Sequence, residues 1–387
     1  MLEKAVKGNG LYWGWLGLLL VIMGVGAGCY LVQLNQGLTI TGMSRDVSWG
    51  FYIAQFTFLV GVAASAVMMV IPKYLHHYKG FARVLILGEF LAIASVAMCL
   101  MFIVVDLGQP QRLFNVLLHP TPNSILFWDM VVLNGYLLIN LLVGWVTLQA
   151  ERKEVPPPNW IKFFIYLSIP WAISIHTVTA FLYCGLPGRG YWLTAIMAPK
   201  FLAGAFASGP ALLILLIFVI KMVSKWNPDP TGEAVQSLAK IVTYCTILLL
   251  FFIALEVFTV GYSQIPSHSA HLKYLFFGLH GKGVYTAWMW VSMIFMLGAS
   301  IVLLFPGNRR SDNILAFSCL LIFIGTWIDK GLGMIAGGFT PSPLETITEY
   351  IPTKMELLIS LGVYAAGFFL LTVLYKVAVG VKREVDA

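Results

Sequence analysis

Ten stretches of this chain are apolar and long enough to cross a lipid bilayer, which settles the fold class before any motif is considered. A helix rises about 1.5 Å per residue, so about 20 apolar residues span the hydrocarbon layer. The runs lie near 11–34, 49–71, 83–105, 126–149, 160–183, 200–223, 238–261, 284–305, 312–335 and 354–379. In lipid every backbone polar group needs an internal partner, and runs of this length find one as helices. The expectation is an all-α polytopic membrane protein with ten transmembrane helices. The first run is too long for a signal peptide and has no clean small-residue cleavage site, so it reads as a helix. The longest connections, 106–125, 262–283 and 336–353, are too short for a soluble domain. Residues 1–387 therefore read as a single integral membrane domain, and any catalytic head belongs to another polypeptide.

Of the 387 residues, 59% are hydrophobic and only 11% charged, with a mean hydropathy of +0.85. A soluble domain carries about a quarter charged residues, so the solvent here is the lipid bilayer. The net charge of +7 belongs to loops and points to no nucleic-acid partner. Ten spans place both termini on one side. Sixteen of the 24 Lys and Arg, among them Lys73, Arg152, Lys225 and Arg309, fall on that side, and eight fall on the other. By the positive-inside rule both termini are cytoplasmic. The outward loops are the longer ones and the richer in Gly, Pro, His and aromatic residues.

Polar residues concentrate between Val105 and Asn140. Asp106, Gln109 and Arg112 read as a loop, Trp128 and Asp129 open the fourth run, and Tyr136 and Asn140 continue on one face of it with Leu133. A carboxylate, an amide, a guanidinium and an indole gathered at a membrane border suggest a binding site open to the outer side. In the fifth run Ser168, Ala172, His176, Thr179 and Tyr183 recur at three- and four-residue steps and form one stripe. His176 is the clearly intramembrane histidine, either a hydrogen-bonded packing residue or a ligand or proton carrier. In the second run Gln55 and Tyr52 should face the protein interior, whereas Trp49 reads as an interface anchor. Glu89 and Glu256 lie inside spans, paired for structure or serving as steps in a proton path. Asp329, Lys330, Lys354 and Glu356 suggest ion pairs between the last two helices. Pro170 and Pro210 should kink their helices.

Several chemistries are excluded. Cys29, Cys99, Cys184, Cys245 and Cys319 are scattered with no CxxC or CxxCH, so the chain should hold no iron–sulfur cluster, structural metal or covalently attached haem. A di-haem membrane cytochrome needs two pairs of intramembrane histidines, and only His176 is so placed. There is no P-loop.

The segments DLGQPQR (106–112), FWDMVVLNGYLL (127–138), SIPWAISIHTVTAFLY (168–183) and YWLTAIMAPKFLAGAFASGPALL (191–213) resemble the polysulfide reductase/NrfD family of integral quinone-interacting subunits. SWGFYIAQFTFLVGVAASA (48–66) is similar to the opening helix of that family's core, and the resemblance covers about 49–335. The ten-span form most resembles the membrane subunit of the menaquinone-linked, sulfite-reductase-associated (Dsr/Hme) complex of sulfate reducers. The resemblance implies two four-helix bundles, helices two to five (49–183, with the quinone site) and six to nine (200–335), flanked by 11–34 and 354–379. It implies the prokaryotic cytoplasmic membrane and menaquinone bound in the first bundle near the outer surface, against an extracytoplasmic ferredoxin-like iron–sulfur subunit. A multihaem cytochrome c, a cytochrome b and cytoplasmic redox subunits are further partners it allows. By position Gln55, Asp106, Asp129 and His176 would line the pocket, with Gln109, Arg112, Trp128, Tyr136, Thr179 and Tyr183 around it.

A quinone asks for an apolar slot, one or two polar groups at its carbonyl oxygens and a proton donor or acceptor. His176, Asp106 and Asp129 are the candidates for the last role. The chain alone would carry no catalytic centre and would act as part of a menaquinol-linked oxidoreductase complex. A transporter or ion-conducting subunit, and a passive anchor for redox subunits, stay open on these residues.

Overall fold

The computed structural model describes residues 3–186, 188–224 and 226–386; Lys225, one of the basic residues of the terminal side, lies outside them. Among the described residues ten helices are long and apolar enough to cross a membrane. They are α1 (Gly10–Ile40), α2 (Phe51–Leu75), α3 (Leu85–Asp106), α4 (Ile125–Arg152) and α5 (Ile161–Cys184), then α6 (Met197–Ser224), α7 (Glu233–Ser263), α8 (Thr286–Leu304), α9 (Asp312–Phe339) and α10 (Lys354–Asp386). The chain is a multi-pass, all-α membrane protein. Helix ends run past the apolar runs where polar residues continue the helical pattern, as in the last turns of α10, and α3 ends on Asp106 itself rather than before it. A further helix, Pro266–Phe277, lies in the connection after α7.

Helices α2 to α5 pack each on the next, and α6 packs on both α7 and α9, with α8 against α9. The two groups meet where α2 touches α6 and α9, and where α5 touches α6. The first and tenth helices do not sit on opposite flanks. α10 packs on α3, and α1 packs on α10. At that outer contact Gly26 and Gly362 abut so closely that a Cβ on Gly26 would lie 2.6 Å from the Gly362 Cα. Small residues of this kind let helix backbones approach in lipid, where no hydrophobic effect drives them together.

α2 is the central helix. Its most apolar window is 89% buried inside the protein, against 17% for α1. It is also irregular. The α-helix Phe51–Ala63 gives way to a turn at Ala64–Ala66, resumes at Val67 and ends in a wide π-type turn at Ile71–Leu75. At the turn α2 meets α6, where Gly209 leaves room for Ser65. The Tyr136 hydroxyl of α4 donates to the Ala63 carbonyl at 3.4 Å, one way to satisfy backbone freed inside a membrane. The prolines do not interrupt their helices: α5 runs through Pro170 and α6 through Pro210. α9 instead carries a second π-type turn, Ile328–Gly333, which bears Asp329 and Lys330.

Candidate functional site

The polar face of α5 turns inward as its spacing requires. Ser168, Ala172, His176, Thr179 and Tyr183 are all buried. Thr179 donates to the Ile175 carbonyl of its own helix (2.7 Å) and its hydroxyl lies 2.6 Å from Asp129 Oδ1 on α4. The Tyr183 hydroxyl is hydrogen-bonded to Thr57 of α2. Asp129, Leu133, Tyr136 and Asn140 share the buried face of α4, and the Asn140 amide is tied to the Tyr136 carbonyl of its own helix (2.8 Å). His176 is fully buried, its ring centroid 6.4 Å from that of Phe206 on α6, and neither ring nitrogen has a hydrogen-bond partner among the described residues. An unpaired buried polar group costs about 1–3 kcal/mol, and this imidazole carries two.

Gln55 is fully buried at the meeting of three helices. Its Oε1 accepts from Trp327 Nε1 of α9 (2.7 Å) and from the Tyr364 hydroxyl of α10 (2.6 Å). Since an indole N–H can only donate, the amide orientation is fixed, and Nε2 is left without a partner among the described residues. Asp106 closes α3. The carbonyls just before it are taken up by α1, with Gln33 Nε2 donating to Val105 (2.6 Å) and the Tyr30 hydroxyl to Val104 (3.3 Å), while the Tyr52 hydroxyl holds Gln33 Oε1 (2.7 Å). Asp106 Oδ1 itself is buried and unpaired among the described residues.

Three predicted residues lie apart from this interior. Gln109 and Arg112 are exposed in the connection after α3, the former joined to Gln111. Trp128 is 45% exposed and donates to the Pro122 carbonyl (2.8 Å), the behaviour of an interface tryptophan. Trp49 is the reverse case. Rather than anchoring at an interface, it sits in an aromatic cluster with Tyr183, Trp192 and Phe339, with ring centroids 5.6–5.9 Å away. Trp192 comes from the connection between α5 and α6 and Phe339 from the end of α9, and the YW pair at 191–192 was the sequence signal for one of them.

The expected ion pairs among Asp329, Lys330, Lys354 and Glu356 do not form. Asp329 Oδ1 lies 3.8 Å from Lys200 of α6, and Lys200 in turn lies 3.2 Å from Glu256 of α7. Glu356 accepts from the Gly42 and Thr353 amides (both 2.8 Å) and the Tyr350 hydroxyl (2.5 Å), and Lys354 is exposed. The Gly42 amide of the connection between α1 and α2 and the Thr353 amide just before α10 occupy Glu356, so that carboxylate needs no lysine. Glu89 is buried near the terminal side with both oxygens unpaired among the described residues; Lys73, Lys382 and Glu151 are its charged neighbours.

With this arrangement in view, the comparison with known proteins is decisive at one level. Residues 39–341 match the family described as "Polysulphide reductase, NrfD". The chain belongs to that family. It is 27% identical to a provisionally named dimethyl sulfoxide reductase membrane subunit of Halobacterium salinarum, over 92% of this chain and 88% of that one. It is 22% identical to the Hdr-like menaquinol oxidoreductase integral membrane subunit of Archaeoglobus fulgidus (96% and 94% covered). It is 20% identical to the menaquinone reductase integral membrane subunit of Nitratidesulfovibrio vulgaris (94% and 90%). This member of the NrfD family thus aligns along nearly its whole length with proteins named as membrane subunits of redox enzymes.

Proposed function

We propose that menaquinone or menaquinol binds beside His176, between α2, α4, α5 and α6, and exchanges electrons there with an extracytoplasmic iron–sulfur subunit. The observation that carries this reading is the buried imidazole with two unpartnered nitrogens, beside Phe206 and on the same buried face of α5 as Thr179 and Tyr183, which bond to Asp129 and Thr57. Those residues fit a quinone head: an apolar surround with one donor or acceptor aimed at a carbonyl oxygen. The quinone supplies two-electron, two-proton redox chemistry when bound. His176 would hold the proton at its oxygen, and Asp106, with an unpaired oxygen at the end of α3, would pass it to the outer side. The names of the menaquinol and menaquinone relatives support the class of substrate.

The excess of basic residues on the terminal side supports cytoplasmic termini, so the site would open outward. The resemblance in ten-span form supports a link to sulfite or sulfate reduction. A relative named for dimethyl sulfoxide reduction has the same span of similarity, so the terminal substrate belongs to the partner subunits. Glu89, unpaired beside Lys73 and Lys382, supports a proton path from the other face. The Lys200 contact supports a structural role for Glu256.

His176→Ala or Asp106→Asn is expected to abolish quinol-linked electron transfer in the purified complex while all subunits still co-purify. Unchanged turnover in both variants would move the site elsewhere.

A further inference from the structure

The second group of helices sends one cation toward the first. Lys330 lies in the π-type turn of α9, buried, with its Nζ donating to the Phe201 carbonyl of α6 (3.3 Å) and lying 4.5 Å from the Phe201 ring centroid. An ammonium has three donors, and the one acceptor it has found is a neutral backbone oxygen. The carboxylate next to it in the chain, Asp329, points to Lys200, which also holds Glu256. Among the described residues no carboxylate lies within ion-pair distance of Lys330. An unpaired charge inside a membrane is costly and commonly marks function.

Its position is specific. A Cβ on Gly61 of α2 would come 2.9 Å from the Lys330 Nζ, so the ammonium occupies space that only a glycine leaves. Gly61 is one helical turn from Thr57, which holds Tyr183. The Phe201 ring beneath the ammonium packs 5.9 Å from the Tyr183 ring. The Cβ on Gly61 would also lie 3.5 Å from the Ala205 Cα of α6, and the next residue, Phe206, carries the ring that lies beside His176. Lys330 therefore stands at the junction of α2, α6 and α9, against the stretch of α6 that faces the unpartnered imidazole.

We infer that Lys330 is a ligand-binding residue of the His176 site, donating to an electron-rich oxygen of the quinone head. This rests on the proposed quinone site and adds to it a residue from outside the first four-helix group. Lys330 then favours head groups that carry negative charge on oxygen, and Gly61 is the position that admits it.

The test is binding of two probes to the purified complex in detergent: a short-chain naphthoquinone, neutral at its oxygens, and an alkyl-hydroxyquinoline N-oxide, whose head carries a negatively charged oxygen. Lys330→Met is expected to weaken the N-oxide about tenfold or more, the worth of one charge-assisted hydrogen bond, and the naphthoquinone much less. Lys330→Arg should retain part of the preference. Gly61→Ala keeps the charge but must displace the ammonium, and should show the same selective loss even if Lys330→Met fails to fold. Equal affinities in wild type, Lys330→Met and Gly61→Ala would overturn the inference and leave the quinone site standing. A parallel loss of both probes with a lowered melting temperature would make Lys330 a packing residue and overturn it also. If wild type binds neither probe, the quinone site itself fails.

Discussion

Buried polar side chains in this protein divide into those with partners and those without. Lys200, Glu256 and Asp329 are mutually arranged across α6, α7 and α9. Removing one member of a buried pair strands the other, at about 3–5 kcal/mol, and Lys200 serves two carboxylates. Lys200→Met is therefore expected to lower the melting temperature sharply. Lys200→Met with Glu256→Gln should recover part of the loss, Asp329 still lacking its cation, as thermal unfolding of the double variant and of the Lys200→Met and Glu256→Gln single variants would reveal. An additive double variant would mean that the two side chains do not interact. The stripe on α5 was legible in the sequence because helical spacing alone puts His176, Thr179 and Tyr183 on one face. The partners of Gln55 were not, because Trp327 and Tyr364 lie 272 and 309 residues away. The same distance hid the choice of Lys200 over Lys330 as partner for Asp329.

At the scale of elements the sequence marks helices by their apolar runs and is silent about where they bend. α5 and α6 run on through Pro170 and Pro210, whereas the irregular turns are at Ala64–Ala66, at Ile71–Leu75, which holds Pro72, and at Ile328–Gly333. Packing of α2 against α4 and α6 decides the first, and no local residue preference records it. The connections on the side opposite the termini carry their own titratable link. His271, on the helix Pro266–Phe277, is buried with Nδ1 3.0 Å from the Thr340 carbonyl. Burial holds its pKa below the ordinary value, with the Thr340 contact opposing the shift. A base whose folded pKa is depressed contributes stability that is full above the unfolded value of about 6.5 and is lost as pH falls below it. Protection of 266–277 against hydrogen exchange, taken relative to the intrinsic rate at each pH, should fall as pH is lowered through about 6.5 toward about 5, and His271→Gln should remove that dependence. Protection that is flat with pH in the wild type would show that burial of the histidine is not linked to the stability of this helix.

At the scale of the whole molecule the last turns of α10 gather the terminal side together. Lys382 pairs with Glu151, Asp386 with Arg83 and the Trp226 indole, Arg383 reaches the Ser224 carbonyl, and Glu384 meets Lys4. Ten spans and this gathering of both ends agree that the termini share a face, which counting runs already required. Which face that is rests on the distribution of Lys and Arg. Single cysteines at Arg45 and Lys153, both exposed, should respond differently to a membrane-impermeant maleimide on intact cells: Arg45→Cys labels and Lys153→Cys does not. The opposite pattern would invert the topology and turn the His176 site toward the cytoplasm. Family and class were readable from four short segments, but the stacking of α1 on α10 was not, since Gly26 and Gly362 look like ordinary glycines of apolar runs. The central claim is that this chain holds a quinone at His176. Extracting the purified complex with organic solvent and quantifying quinone per chain tests it most directly. Close to one quinone per chain, falling severalfold in His176→Ala, is the predicted result; an equal content in both proteins, or none in the wild type with no competition by quinone analogues, would contradict it.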